Sequence, residues 1–235
     1  MSVSTSETFT RQPPLSSSSA SGHSNRPYDT LYFAYGSSLS HTQMALRCKC
    51  TPERSAVPTA IARLHGWKWI ICERGCANVV YTGKVGEKPG YSGDEVWGVL
   101  YVMSAEDEKI LDGFEGLDWA APKAVNDLIW VSQGARPTEQ GNGRHNKVYL
   151  DVKIAEWKDK QWAQQLGEQR VRVLVYIDER DVEEGTIRPE YVGRMNRGIR
   201  ESVALGLSEQ WVAQAMRRWV MPGIEARQGQ VDKHG

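Results

Sequence analysis

The segment LYFAYGSSL, residues 31–39, decides how the rest of the chain is interpreted. Its first five residues are apolar and aromatic, a pattern that predicts a buried β-strand. Gly36 ends that strand, and the small hydroxyl residues Ser37 and Ser38 follow it. Glycine permits backbone angles that other residues avoid, and small side chains leave the backbone N–H groups open to a ligand. The segment therefore predicts either a loop that binds a carboxylate or an oxyanion, or an ordinary turn after a strand.

Two further motifs lie downstream of this loop. Residues 93–101 are GDEVWGVLY, and residues 111–116 are LDGFEG. Together with the loop, they resemble the Tyr-Gly-Ser-Asn-Leu loop, the Val-Trp-Gly-Val-x-Tyr strand and the Leu-Asp-x-x-Glu-Gly motif of the γ-glutamylcyclotransferase-like family. Ser38 stands where the family usually has Asn. Three separated matches in the expected order are far more specific than one, and they cover residues 30–120 well and the remainder only loosely.

The order of the predicted elements indicates the α+β class, because strands largely precede helices. Strands are predicted at 31–35, 60–72 with a break at Gly66, 77–81, 96–103, 125–131, 148–154 and 171–177. Helices are predicted at 42–48, after Ser104 in a capping-box spacing with Asp107, from Pro189 and after Ser208. Residues 156–169 form either a short helix or an insertion. The resemblance implies a small mixed β-barrel with peripheral helices, whereas the sequence alone would not have closed the barrel.

The two ends of the chain differ in composition from its middle. Residues 1–27 are rich in Ser and poor in apolar residues, so we expect a disordered tail. Residues 28–223 are expected to form a single domain, and residues 224–235 a C-terminal tail. With 40% hydrophobic residues, the chain has enough apolar side chains for one sizeable core.

Charge and cysteine usage narrow the class of protein. Lys plus Arg equals Asp plus Glu, 29 each, so neither nucleic acid nor a membrane is an expected partner. No apolar run approaches the ~18 residues of a transmembrane helix, and no secretory signal is evident. We therefore expect a cytoplasmic protein with reduced thiols. The spacing of Cys48, Cys50, Cys72 and Cys76 is not that of structural zinc sites, so no metal is expected. Monomer and homodimer both stay open.

The family resemblance implies that the protein cleaves a small-molecule γ-glutamyl amide without water. The α-amino group of the substrate attacks its own γ-carbonyl, which closes the ring of 5-oxoproline and expels an amine. Because that amino group is an ammonium at pH 7, a general base must take its proton, and the same base later protonates the leaving nitrogen. One carboxylate is enough for both roles, so no cofactor is expected.

The same resemblance assigns the base to Glu115. The residues alone favour a solvated side chain there, since a helix C-terminus is unfavourable for a carboxylate. The loop is expected to bind the substrate carboxylate or the oxyanion, with help from a later strand tyrosine. The expected substrate-binding residues are Tyr35, Gly36, Ser37, Ser38, Leu39 and Tyr176. His145, in a polar insertion, is interpreted as part of a solvated patch.

Two departures from the family pattern leave alternatives open. Ser38 lacks the amide of Asn, and Pro122 stands about seven residues after Glu115, where the family often has a Tyr. These changes suggest an altered pocket and a specialised substrate, such as a γ-glutamyl or glutathione adduct. One alternative is a small-molecule binding module that has lost catalysis. Another is an enzyme that uses the same pocket for a different proton transfer on a carbonyl substrate.

Overall fold

The computed structural model describes residues 30–83, 94–125, 134–167, 170–223 and 225. The tail expected at 1–27 and nearly all of the one expected at 224–235 lie outside the described residues. So does most of the strand predicted at 125–131.

A closed five-stranded β-barrel forms the centre of the molecule, in the order β1-β5-β2-β6-β7. Neighbouring strands are antiparallel except for β1 and β7, which are parallel, so the barrel is mixed as expected. A separate two-stranded sheet, β3-β4, lies beside it. The strands are β1 (Thr30–Ala34), β2 (Pro58–His65), β3 (Trp67–Ile71), β4 (Ala77–Tyr81), β5 (Glu95–Met103), β6 (Asn146–Trp157) and β7 (Arg170–Ile177).

The helices surround this barrel and confirm the α+β class. They are α1 (His41–Arg47), α2 (Pro52–Ser55), α3 (Ala105–Phe114), α4 (Lys160–Leu166), α5 (Pro189–Ala204) and α6 (Glu209–Trp211), which runs into a π-helical turn at Val212–Met216. Pro189 begins α5 and Ser208 caps α6, both as predicted. Residues 156–169 were expected to form either a short helix or an insertion, and the helix α4 shows that a short helix forms there.

The barrel wall explains why the strand motif contains a glycine. Phe33 and Ala34 are fully buried in β1, which pairs with β5. A Cβ atom on Gly98 would lie 2.5 Å from the carbonyl oxygen of Ala34 and 2.6 Å from the Phe33 ring. Only a residue without a side chain allows this close approach.

The break predicted at Gly66 separates β2 from β3. Gly66 has a φ angle of 80°, which favours glycine and turns the chain out of the barrel into the small sheet. Trp69 of β3 is buried there and donates a hydrogen bond from its indole nitrogen to the Tyr35 carbonyl oxygen at 2.9 Å. The small sheet therefore holds the C-terminal end of β1 in place.

Ser104 caps α3 as predicted, but the Asp107 carboxylate binds backbone N–H groups outside this helix. The Ser104 hydroxyl accepts a hydrogen bond from the Asp107 N–H at 3.2 Å. The Asp107 carboxylate does not return a bond to the Ser104 N–H, as a capping box requires. It accepts instead from the N–H groups of Cys50 and Thr51, both at 2.9 Å. Asp107 thus fixes the segment between α1 and α2 against α3.

We expect Asp107→Asn to lower the free energy of unfolding at pH 7 by about 2 kcal/mol, because hydrogen bonds to a charged group are lost. Burial opposes the charge of Asp107, but the hydrogen bonds from Cys50 and Thr51 outweigh it and lower its pKa. The stabilisation is therefore complete above the unfolded-state pKa and disappears as the pH falls through the lower folded-state value. Urea unfolding at a series of pH values measures it.

The matched control for that prediction is Asp151→Asn. Asp151 forms an ion pair with Arg172 at 3.3 Å, and both side chains are more than 40% exposed. Exposed pairs of this kind contribute little, so we expect a change within about 0.5 kcal/mol. A deficit in Asp107→Asn that stays constant down to pH 2 would contradict the role given to the charge.

Candidate active site

The loop that follows β1 is a short turn of 3₁₀ helix at Ser37–Leu39. The Leu39 N–H donates to the Gly36 carbonyl at 2.9 Å, and the Ser40 hydroxyl caps α1 by accepting from Gln43 N–H at 3.0 Å. The Glu201 carboxylate of α5 accepts a hydrogen bond from the Ser40 hydroxyl at 2.7 Å. Helices on both sides therefore fix the position of the loop.

A cavity of about 80 Å³ opens beside this loop. The structure brings six of the seven predicted site residues to its wall: Tyr35, Gly36, Ser37, Ser38, Glu115 and Tyr176. Leu39 is fully buried and does not line the cavity. The loop and the predicted base, which are about 80 residues apart in sequence, therefore face the same space.

Glu115 lies at the C-terminal end of α3 with its side chain only 16% exposed. Its Oε1 accepts a hydrogen bond from Nη1 of Arg47 at 3.2 Å. Arg47 comes from the last turn of α1, is 4% exposed, and lies over the Phe114 ring at 5.0 Å. The guanidinium compensates for a carboxylate at the unfavourable end of a helix dipole. The interpretation of Glu115 as a fully solvated side chain is therefore wrong.

His145 supports Glu115 from the other side, and its interpretation as part of a solvated patch is wrong. It is 8% exposed, with Nδ1 at 2.8 Å from the Glu115 carbonyl oxygen and Nε2 at 3.1 Å from Nη2 of Arg74. A single neutral tautomer satisfies both contacts, since Nδ1–H donates and Nε2 accepts. Burial lowers the pKa of His145, which favours that neutral form. Asp178 forms an ion pair with the same Arg74 at 2.6 Å and holds it in place.

Two tyrosines join the loop to the last barrel strand. The Tyr35 hydroxyl donates to the Tyr176 carbonyl oxygen at 2.5 Å, which fastens the end of β1 to the end of β7. The Tyr176 hydroxyl donates to Oδ1 of Asp112 at 2.6 Å, and Lys147 pairs with the same carboxylate at 2.8 Å. Burial, with the nearby Asp112 charge, raises the pKa of Tyr176. Tyr176 therefore stays protonated, and its hydroxyl hydrogen is already committed to Asp112.

Helix α5 supplies a third tyrosine that the sequence did not single out for the site. The Tyr191 hydroxyl accepts a hydrogen bond from the Ser37 N–H at 3.1 Å. Burial raises the pKa of Tyr191 to about 12, so the hydroxyl keeps its own proton. Arg194, one turn further on, lies with its guanidinium 4.7 Å from the centre of the Tyr191 ring. The loop N–H group thus faces a hydroxyl that still has a hydrogen to donate.

Comparison with known proteins agrees with the motifs. No protein-family model matches the chain. A curated protein of Mus musculus, gamma-glutamylcyclotransferase, is 34% identical over 126 residues, which are 53% of this chain and 64% of the mouse protein. The chain is therefore similar in sequence to a gamma-glutamylcyclotransferase. The match spans slightly less than two thirds of the length of the mouse protein.

Solved structures similar to this chain share little sequence with it. YkqA from Bacillus subtilis has a TM-score of 0.50 and 17% identity, over 84% of this chain and 56% of YkqA. A structure named gamma-glutamyl cyclotransferase has a TM-score of 0.49 and 20% identity, over 87% of this chain and 94% of that one. At 17% identity, the likeness to YkqA concerns the fold alone.

Ser38 takes part in the site although it stands where the resembled loop usually has Asn. Its hydroxyl accepts a hydrogen bond from Nη1 of Arg47 at 3.2 Å. Both residues line the cavity. A hydroxyl at this position therefore connects the loop directly to the arginine that holds Glu115.

Neither Pro122 nor the neighbouring Trp119 contributes to the cavity formed by the described residues. Pro122 is exposed, and Trp119 is 64% exposed, so neither lines the cavity. The aromatic residues of the cavity are Tyr32, Tyr35, Tyr176 and Tyr191.

Two general findings concern the described part of the chain. Within it, no group of three or more His, Cys, Asp or Glu side chains is placed to hold a metal ion. In the same residues, every helix is too short or too polar to cross a membrane.

Proposed function

We propose that this chain is an enzyme that cleaves a γ-glutamyl amide by intramolecular aminolysis, giving 5-oxoproline and a free amine. The observation that carries the proposal is the meeting of the Ser37–Leu39 loop and the Glu115 carboxylate at one cavity. The relationship to the mouse protein supports the same reaction. The Tyr191 hydroxyl, bonded to the loop, supplies a donor for an anion, and Glu115 supplies a proton acceptor.

In the proposed reaction, Glu115 accepts a proton from the α-ammonium of the substrate. The resulting amine attacks the γ-carbonyl, and the C–N bond of the five-membered ring forms. Protonated Glu115 then donates to the departing nitrogen, so that the original amide bond breaks and an amine leaves. The ring nitrogen then loses its second proton through Glu115 to the leaving amine, which departs as an ammonium ion and leaves 5-oxoproline with one N–H. The amine and the carbonyl belong to the same molecule. A cavity that holds this molecule in a bent conformation keeps the two groups close together, which removes much of the entropic barrier.

Donors at the loop are proposed to stabilise the oxyanion that forms on the γ-carbonyl oxygen. The Tyr191 hydroxyl is bonded to the Ser37 N–H and keeps a hydrogen of its own. Donors that are fixed before the reaction stabilise developing charge without reorganisation. The nearby Ser38 hydroxyl is held by Arg47 and keeps the loop in this arrangement.

The leaving group is proposed to extend toward the mouth of the cavity. Arg188 and Glu190 line it there and are exposed to solvent, whereas Glu115 is 16% exposed and Arg47 4% exposed. Charged residues at the mouth suit a leaving group that is itself charged, such as an amino acid, a dipeptide or the remainder of a glutathione adduct.

The test is release of 5-oxoproline from γ-glutamyl amino acids, glutathione and a glutathione S-conjugate. We expect release from at least one of them, and the preferred substrate identifies the leaving group. An α-glutamyl dipeptide is the matched control, since it has the same atoms but no γ-amide to cleave. A folded protein that releases nothing from any γ-glutamyl compound would favour a binding module or other carbonyl chemistry in this pocket.

A further inference from the structure

Arg47 has hydrogen-bonding capacity that the described residues do not use. Its Nη1 makes both of its hydrogen bonds, one to Ser38 and one to Glu115. Its Nε is buried and has no acceptor among the described residues. A guanidinium carries five N–H donors in a planar fork, so this arginine has donors left for a ligand. Arg47 also lines the cavity, with a side chain 4% exposed.

The Arg47–Glu115 pair presents both charges that an α-amino acid group requires. The two side chains are joined at 3.2 Å, so a cation-binding and an anion-binding group are adjacent. An α-amino acid carries its ammonium and its carboxylate on the same carbon atom, the α-carbon. When the ligand binds, its carboxylate faces the Arg47 guanidinium and its ammonium faces the Glu115 carboxylate, so each charge of the ligand lies next to an opposite charge of the protein.

We propose that Arg47 binds the α-carboxylate of the substrate while Glu115 binds the α-ammonium. This inference rests on the proposed function, because it assigns the recognition of the same γ-glutamyl substrate. It makes the free α-amino acid end of the substrate the part held at the inner end of the cavity. The ammonium is thereby delivered to the carboxylate that takes its proton.

Arg194 is the rival anchor, since it also lines the cavity and is 6% exposed. Its guanidinium lies over the Tyr191 ring at 4.7 Å. Among the described residues, Arg47 is the arginine of the cavity that contacts Glu115, at 3.2 Å. A carboxylate on Arg47 therefore leaves the adjacent ammonium within reach of the base.

The test compares L-glutamate with 4-aminobutanoate, which is the same molecule without the α-carboxylate. Neither has an amide to cleave, so calorimetric titration measures binding without turnover. We expect the wild type to bind L-glutamate about 10- to 100-fold more tightly, the contribution of hydrogen bonds to a charged group. Arg47→Met should reduce this ratio to near one. Arg194→Met should preserve it.

Arg47→Lys is the second variant, for the case in which Arg47→Met fails to fold. Lysine keeps the positive charge but lacks the planar guanidinium that binds a carboxylate through two N–H groups. The preference of this variant for L-glutamate over 4-aminobutanoate should fall to a few-fold. Equal binding of the two ligands by the wild type, or a ratio lost only in Arg194→Met, would overturn the inference. The two proposals fail separately. Oxoproline release with a ratio independent of Arg47 contradicts this inference alone, and an Arg47-dependent ratio without release contradicts the proposed reaction alone.

Discussion

Glu115→Gln is expected to lower kcat for 5-oxoproline release by at least about 1000-fold, near the upper part of the range for general acid–base catalysis. The amide has almost the same shape as the carboxylate, and its oxygen still accepts from Nη1 of Arg47. It cannot take the proton of the substrate ammonium, nor return one to the leaving nitrogen. The loss should appear in kcat at saturating substrate, measured with the preferred substrate of the wild type.

Glu108→Gln is the matched control for this variant. Glu108 lies on the same helix α3, is 15% exposed, and pairs with Lys147 at 2.6 Å, but it does not line the cavity. Its activity should stay within about threefold of the wild type, since no reacting group is changed. A folded Glu115→Gln protein with near-normal turnover would remove Glu115 from the mechanism.

Gly98→Ala is expected to lower the free energy of unfolding by about 2–3 kcal/mol, because a methyl group must be inserted into a packed wall. The added Cβ would lie 2.5 Å from the Ala34 carbonyl oxygen, which is backbone of a paired strand and cannot move away alone. The Phe33 ring, at 2.6 Å, is fully buried and has little room to turn. Denaturant unfolding followed by tryptophan fluorescence measures the effect.

Gly113→Ala is the opposite case on the same chain. Gly113 lies in α3, is exposed, and a Cβ there would meet no atom within 4 Å. Alanine is a better helix former than glycine, so this change should raise the free energy of unfolding by about 0.5–1 kcal/mol. A Gly98→Ala protein as stable as the wild type would show that the barrel wall does not require glycine at this position.

The sequence located the parts of the site that are local in the chain. The strand, its glycine and the loop hydroxyls are adjacent residues, and the motif LDGFEG contains Glu115 itself. The sequence did not reveal Arg47 or Tyr191, because their partners are 68 and 154 residues away. Arg47 lies in the helix predicted at 42–48, where the sequence carries no signal of its burial, and Tyr191 lies in the helix predicted from Pro189.

His145 shows why a polar segment can mislead. Gly, Asn and Arg surround it, so composition indicated solvent exposure. Its burial depends on Glu115, Arg74 and Asp178, which three other segments contribute. The fold shows the same division. The individual strands follow from local patterns, whereas closure of the barrel depends on the parallel pairing of Tyr32 with Leu174, which no local pattern specifies.

The contact between Ser37 and Tyr191 has a consequence for the synthesis of the protein. The two residues are 154 positions apart. At roughly 5–20 residues per second, a ribosome makes the loop about 8–30 s before it makes the helix that completes the pocket. A growing chain therefore carries the loop, and later Glu115, for most of that time without a pocket wall opposite them. The pocket is complete only when α5 has been made and docked, so under the proposed function an unfinished chain does not consume substrate.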